Sequence, residues 1–209
     1  LRLILLGFFI SVPAVVCIVI PIVEFGEGFI VNYIVSSIAS GPLAVALFLM
    51  LLPFFEVVFN KVSTFKLAEL TDHKSRIVRK VISKAPGTFN HSLTVSTLAE
   101  SCAIAIGENP LLARAAAYYH DIGKLKQPDY FTENQSGYNP HNELAPELST
   151  DIIKAHARDG YDLIRKYHLP QILADVAREH HGTLPIKYFY AKALKFTEGE
   201  LNIADFSYN

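Results

Sequence analysis

The stretch Tyr118-Tyr119-His120-Asp121-Ile122-Gly123-Lys124 decides how this chain is read. An imidazole followed directly by a carboxylate is a compact cation-binding unit. The ring nitrogen takes one ion, and the two carboxylate oxygens can bridge to a second. The pair closes an apolar helical pattern that runs through Leu111, Leu112, Ala115 and Ala116. A buried aspartate beside a buried histidine is costly unless it is paired or ion-bound. Other histidines fall in comparable places. His91 opens an apolar-striped helix, His156 follows Ile152 and Ile153, and His180-His181 close the pattern Ile172, Leu173, Val176, Ala177. Imidazoles delivered by several helices to one carboxylate predict a two-ion centre. Ions about 3.5–4 Å apart suit phosphoester hydrolysis, because they hold the attacking and leaving oxygens together. Lys124 lies about one turn beyond Asp121. It reads either as a surface cation favouring a helix C-terminus or as a cation for a substrate phosphate. His73, His141 and His168 stand in polar contexts and are expected at the surface.

The pattern around this motif is helical. Leu93, Leu98, Ala99, Cys102 and Ile106 form a stripe after His91, and Gly107 ends it. Asn109-Pro110 is a capped start with proline at the first helical position. Residues 126–146 are polar and turn-rich, which predicts a long loop over the site, with Tyr130, Phe131 and Tyr138 available to a substrate. Ser149 or Thr150 is expected to cap the next helix, and Asp159-Gly160 to break or kink it. Pro170 begins another helix, residues 186–196 read as helical, and the tail from 198 carries no strong signal. No alternating run is long enough for a sheet, so the globular part is expected to be all-α.

The 209 residues are 51% hydrophobic, and the excess lies in 1–59, which are nearly free of charge. Residues 3–23 and 29–52 each approach the length that crosses a bilayer as a helix. Pro13 and Gly41-Pro42 interrupt them in a way membrane helices tolerate. Pro53-Phe54-Phe55-Glu56 looks like an interfacial exit. Between the spans the turn holds only acids, Glu24 and Glu27. Lys61, Lys66, Lys74, Arg76, Arg79, Lys80 and Lys84 follow the second span. That asymmetry predicts a multi-pass membrane protein with its C-terminal part cytoplasmic. The expected layout is a transmembrane region at 1–59, a helical connector at 60–85 that Ala85-Pro86-Gly87-Thr88 interrupts, and a globular domain at 86–209. The chain starts at Leu1, inside or beside an apolar run, which reads as a fragment of a longer protein.

The formal net charge of −1 argues against a nucleic-acid polymer as partner. The cysteines, Cys17 and Cys102, offer no disulfide framework and are expected to be buried free thiols. There is no Walker loop, no His-Glu-x-x-His and no Cys-x-x-Cys, so P-loop, zinc-protease and zinc-ribbon readings lack support.

The order His91, His120-Asp121, His156, His180-His181 resembles the HD-domain metal-dependent phosphohydrolases. Four strings narrow the resemblance to the seven-transmembrane HD-domain phosphodiesterases. They are Ala85-Pro86-Gly87-Thr88-Phe89-Asn90-His91-Ser92, the His120-Asp121 stretch, Phe131-Thr132-Glu133-Asn134-Gln135 and Glu179-His180-His181-Gly182-Thr183. That resemblance implies hydrolysis of cyclic di-AMP to linear pApA, using two divalent transition-metal ions, iron or manganese. By position, His91, His120 and Asp121 would hold one ion, and Asp121, His156, His180 and His181 the other. A hydroxide between the ions would be the nucleophile, so Asp121 and Lys124 carry the catalytic roles. Lys124, Tyr130 and Phe131 are the expected substrate contacts. A further aspartate ligand of the family lies in a later helix, and the Ala204-Asp205-Phe206 context does not match it. Another nucleotide substrate, or a non-catalytic nucleotide- or metal-sensing module, stays open at this stage, as does assembly into a homodimer.

Overall fold

The structure is a computed structural model and describes residues 30–59, 61–196 and 200–208. They fall into two compact units, divided along the chain between Lys61 and Val62. The expected first span, 3–23, and Cys17 lie outside the described residues.

The first unit contributes one helix, α1 (Ile30–Val58, 29 residues), with Pro42 and Pro53 inside it. From Ser40 to Val58 it is apolar and long enough to be a candidate membrane span. Its large side chains, such as Phe48, Met50 and Phe54, are exposed, as a lipid-facing helix requires. The second span, expected to end at residue 52, is corrected, since the helix continues through Pro53 to Val58. The proline removes only one ladder bond, and flanking apolar residues carry the helix on.

The second unit is built of α2 (Thr64–Leu70), α3 (Arg76–Lys84), α4 (Pro86–Ile106), α5 (Pro110–Tyr119), α6 (Pro146–Lys166), α7 (Gln171–Glu179) and α8 (Lys187–Ala193). Among the described residues the only strand-like pairing is an isolated bridge between Pro185 and Ser207. The fold is all-α. Within the expected connector, residues 62–85 contribute to its core. Leu67 and Leu70 of α2 and Ile77, Val78 and Val81 of α3 pack in one cluster with Tyr119, Ile122, Ile164 and Leu173. On α3, positions 77, 78 and 81 make an inward stripe while Arg79 and Lys84 face out. The Tyr119 hydroxyl donates to the Leu70 carbonyl at 2.8 Å. Burial pushes its pKa up to about 12, so it stays a donor.

Several expected boundaries move. Helix α4 starts at Pro86, five residues before His91, with the proline at its first position. Gly107 does end it, in the left-handed conformation. Only part of the expected apolar stripe on α4 faces inward: Leu93 packs against the core, but Leu98 and Ile106 are exposed, as is Cys102. The inward face is Thr88, Ser92, Ser96 and Ala103. Helix α4 lies against α5, and Ser96 satisfies its hydroxyl on the Leu93 carbonyl at 2.7 Å. Helix α6 begins at Pro146, so Ser149 and Thr150 are buried in its first turns, where Thr150 bonds the Pro146 carbonyl. It runs unbroken through Asp159-Gly160. Residues 200–208 are anchored by Phe206, which is buried against Phe189 and Ala193 and whose carbonyl accepts from the Ile186 N–H at 2.7 Å.

Candidate metal centre

Helix α5 ends at Tyr119, and His120 is its C-cap. The chain then turns into a 3-10 segment, Ile122–Lys126. A Cβ on Gly123 would stand 1.9 Å from the His156 carbonyl oxygen and 2.5 Å from the Gly160 nitrogen. Only glycine lets this segment lie backbone-on-backbone against α6. That contact brings Asp121 beside His156, and it is why Gly160 serves close packing rather than a kink.

Asp121 is 3% exposed and stands at the centre of the cluster. Its Oδ2 faces His120 Nε2 at 3.1 Å, His91 Nε2 at 3.7 Å and Lys124 Nζ at 2.9 Å. Its Oδ1 faces His156 Nε2 at 3.3 Å and His180 Nε2 at 3.6 Å. His181 Nε2 comes within 3.2 Å of His156 Nε2. The structure thus brings the sequence-predicted residues into two overlapping sets. One is His91, His120 and Asp121; the other is Asp121, His156, His180 and His181. Within each, the donor atoms lie within 4.8 Å of one another.

The far side of each ring explains the aim of the near side. His120 Nδ1 pairs with the Ala117 carbonyl at 2.7 Å, His180 Nδ1 with that of Ala177 at 2.9 Å, and His156 Nδ1 with that of Ile153. A carbonyl only accepts, so each Nδ1 carries a proton, and in the neutral ring each Nε2 presents a lone pair. His156 Nε2 and His180 Nε2 are 3.4 Å apart. Lone pairs that converge on each other and on a carboxylate form a set that could hold a cation. A ring N–H tied to a backbone carbonyl is the usual way of orienting a ligating histidine. The C-terminal ends of α5 and α7 also point here, and their partial negative charge favours a cation. A mixed imidazole and carboxylate set suits a divalent transition metal.

Where these Nε2 atoms carry protons instead, burial pushes the Asp121 carboxyl up, but hydrogen bonds from His120, His156 and His180 outweigh it and hold it well below the usual range. Burial lowers His120, yet the Asp121 bond and charge raise it overall. Burial and the neighbouring His180 and His156 depress His181 to about 4. Its ring is stacked on Tyr208, with centroids 4.2 Å apart.

A cavity of about 480 Å³ opens over the cluster, and Lys124, Tyr130 and Phe131 line it. Phe131 is buried, packs edge-on to His156, and lies 4.9 Å beneath Lys124 Nζ. Residues 126–146 fold over the site as short 3-10 turns, including Pro128–Tyr130, Thr132–Asn134 and Pro140–Asn142. Tyr138, in this segment, is exposed and does not line the cavity. His141 corrects an expectation, being buried rather than at the surface. It packs against Tyr130 and Phe189, and its Nε2–H donates to the Tyr130 carbonyl at 3.0 Å. Burial lowers its pKa, which keeps it neutral. His73 and His168 are exposed as expected. The cavity wall also contains Glu133, Tyr188, Phe189 and Tyr208, which the sequence reading did not single out. The aromatic run Tyr188-Phe189-Tyr190 was the available signal; nothing marked Tyr208.

Residues 88–205 match the family model described as HD domain. The chain is 46% identical over 159 residues to the cyclic-di-AMP phosphodiesterase PgpH of Listeria monocytogenes, covering 76% of this chain and 22% of that protein. It is 46% identical over 161 residues to PgpH of Bacillus subtilis, covering 77% and 22%. The crystal structure of the L. monocytogenes PgpH HD domain in complex with cyclic-di-AMP superposes with a TM-score of 0.61 at 48% identity, covering 64% of this chain and 62% of that one. The chain spans about a fifth of the length of these curated relatives.

Proposed function

We infer function from one premise: this chain belongs to the HD-domain family. Its proposed activity is that of a membrane-tethered, metal-dependent phosphodiesterase that opens a cyclic dinucleotide, with cyclic di-AMP converted to pApA. The observation that carries this reading is the convergence of Nε2 atoms on Asp121, each ring oriented from behind by a backbone carbonyl. The relatives named cyclic-di-AMP phosphodiesterases, and the related HD domain bound to cyclic-di-AMP, support the substrate class.

Two divalent ions, iron or manganese, fit the donor sets. His91, His120 and Asp121 would hold one and Asp121, His156, His180 and His181 the other, with Asp121 shared. When bound, such ions supply Lewis acidity toward water and toward the phosphoryl oxygens. The chain does the rest. Water adds to phosphorus, the P–O3′ bond breaks and the 3′ oxygen takes a proton. Lys124 lies at the cavity wall to offset charge on the phosphoryl oxygens. Phe131 and Tyr130 make an apolar wall against which a base can rest. Helix α1 tethers the domain, and the basic residues after it favour a cytoplasmic site on a multi-pass protein.

The test is turnover by the manganese- or iron-loaded full chain in lipid nanodiscs, with cyclic di-AMP, cyclic di-GMP and guanosine tetraphosphate side by side. Conversion of cyclic di-AMP to pApA ahead of the others is the expected result. Binding of metal without turnover of any would overturn the enzymatic reading in favour of a sensing module.

A further inference from the structure

A lysine ammonium rides on a flexible stem, and it stabilises a transition state only where something else fixes it. Lys124 Nζ is held from two sides, 2.9 Å from Asp121 Oδ2 and 2.7 Å from Glu133 Oε1. The Phe131 ring lies 4.9 Å away. An ammonium has three N–H donors. The two carboxylates take two of them, and one is left for the cavity.

Glu133 is itself fixed from behind. Its Oε1 accepts from Thr88 Oγ1 at 3.2 Å. Thr88 is 1% exposed and exchanges two more bonds with Asn134. Its N–H donates to Asn134 Oδ1 at 3.1 Å, and its Oγ1 accepts from Asn134 Nδ2 at 2.8 Å. A Cβ on Gly87 would stand 1.8 Å from the Glu133 carbonyl oxygen. The backbone of this segment therefore lies directly on the first turn of α4, the helix that presents His91 one turn later.

We propose that Glu133 is the positioning residue for Lys124. Its carboxylate, anchored to the first turn of α4 through Thr88, sets the ammonium at the cavity wall with one N–H free for the scissile phosphoryl group. The proposal rests on the phosphodiesterase reading for its substrate, but the placement of Lys124 can be tested without it.

The experiment is a double-mutant cycle of E133Q and K124A in the full chain, assayed in nanodiscs with manganese and cyclic di-AMP. E133Q is expected to lower kcat about tenfold or more while KM moves far less and metal content is unchanged. E133D should recover part of the loss. On the K124A background E133Q should cost nothing further. Wild-type kcat in E133Q would overturn the proposal. So would an equal fractional loss with and without Lys124, because Glu133 would then only close the segment onto α4. A crystal structure of E133Q reads placement independently of turnover, with E133D substituted should E133Q not fold. Lys124 Nζ is expected to leave Asp121. If it stays within about 3 Å of Asp121 Oδ2, the proposal falls even when wild-type activity on cyclic dinucleotides is intact. Absence of wild-type activity would instead count against the phosphodiesterase reading.

Discussion

The two walls of the cavity are made differently. The floor is a cage of imidazoles delivered by helices and locked by backbone carbonyls within the same helix, three residues back. The roof, residues 126–146, is a series of 3-10 turns held by side-chain bonds to distant partners, such as Asn134 to Thr88 and Lys126 to Asp159 at 2.6 Å. Local bonds set the aim of three of the floor's rings. Long-range bonds make the roof a product of the whole fold. On the proposed function, the floor would hold the ions, while the roof would contact the substrate and, through Glu133, set Lys124.

This contrast can be broken by mutation. Asp121→Ala strikes the floor at its centre and is expected to abolish hydrolysis, by about a thousandfold or more, with both ions lost from elemental analysis and helicity retained by circular dichroism. Retained turnover would end the contrast. Gly123→Ala is expected to destabilise by about 1–3 kcal/mol, read by chemical denaturation, because a methyl there meets the backbone of α6. Phe131→Leu alters the roof. It should leave metal content intact and lower kcat/KM for the dinucleotide about tenfold; loss of metal would show that roof and floor are one unit.

Acid sharpens the comparison in the metal-free chain. His181 titrates near 4 when folded and near 6.5 when unfolded. Below 6.5 the unfolded chain binds a proton that the folded one refuses. Stability should therefore decline as pH falls from about 6.5 to 4, and His181→Asn should flatten that decline in thermal melts. His120 opposes it, since its raised pKa stabilises below the ordinary histidine value and is lost as pH rises through the folded value. The smallest effect is expected outside both walls. Leu98→Ser on the exposed face of α4 should change stability by no more than about 0.5 kcal/mol.

The floor was legible in the sequence because its signal is local. His120-Asp121 and His180-His181 each close an apolar helical run, so position along a helix announces a shared interior. The roof was not. Nothing near His141 foretells that Phe189 will cover it, and nothing near Glu133 foretells Lys124 and Thr88 together. The face of α4 was misread for a related reason. Counting Leu98, Cys102 and Ile106 assumes that apolar means inward, whereas the buried positions are the small side chains Thr88, Ser92, Ser96 and Ala103. Asp159-Gly160 looked like a break because a glycine's role in close approach depends on a partner, Gly123, that is remote in sequence.

The carbonyls of Ala117 and Ala177 belong to last helical turns, where a helix lacks backbone donors of its own. The rings of His120 and His180 supply them. Each imidazole is thus at once the terminator of its helix and a claw for the cation. Fraying of either end would swing a nitrogen away, and by reciprocity a captured ion would splint both ends. Slowed amide exchange near residues 120 and 180 on adding manganese would make that linkage visible.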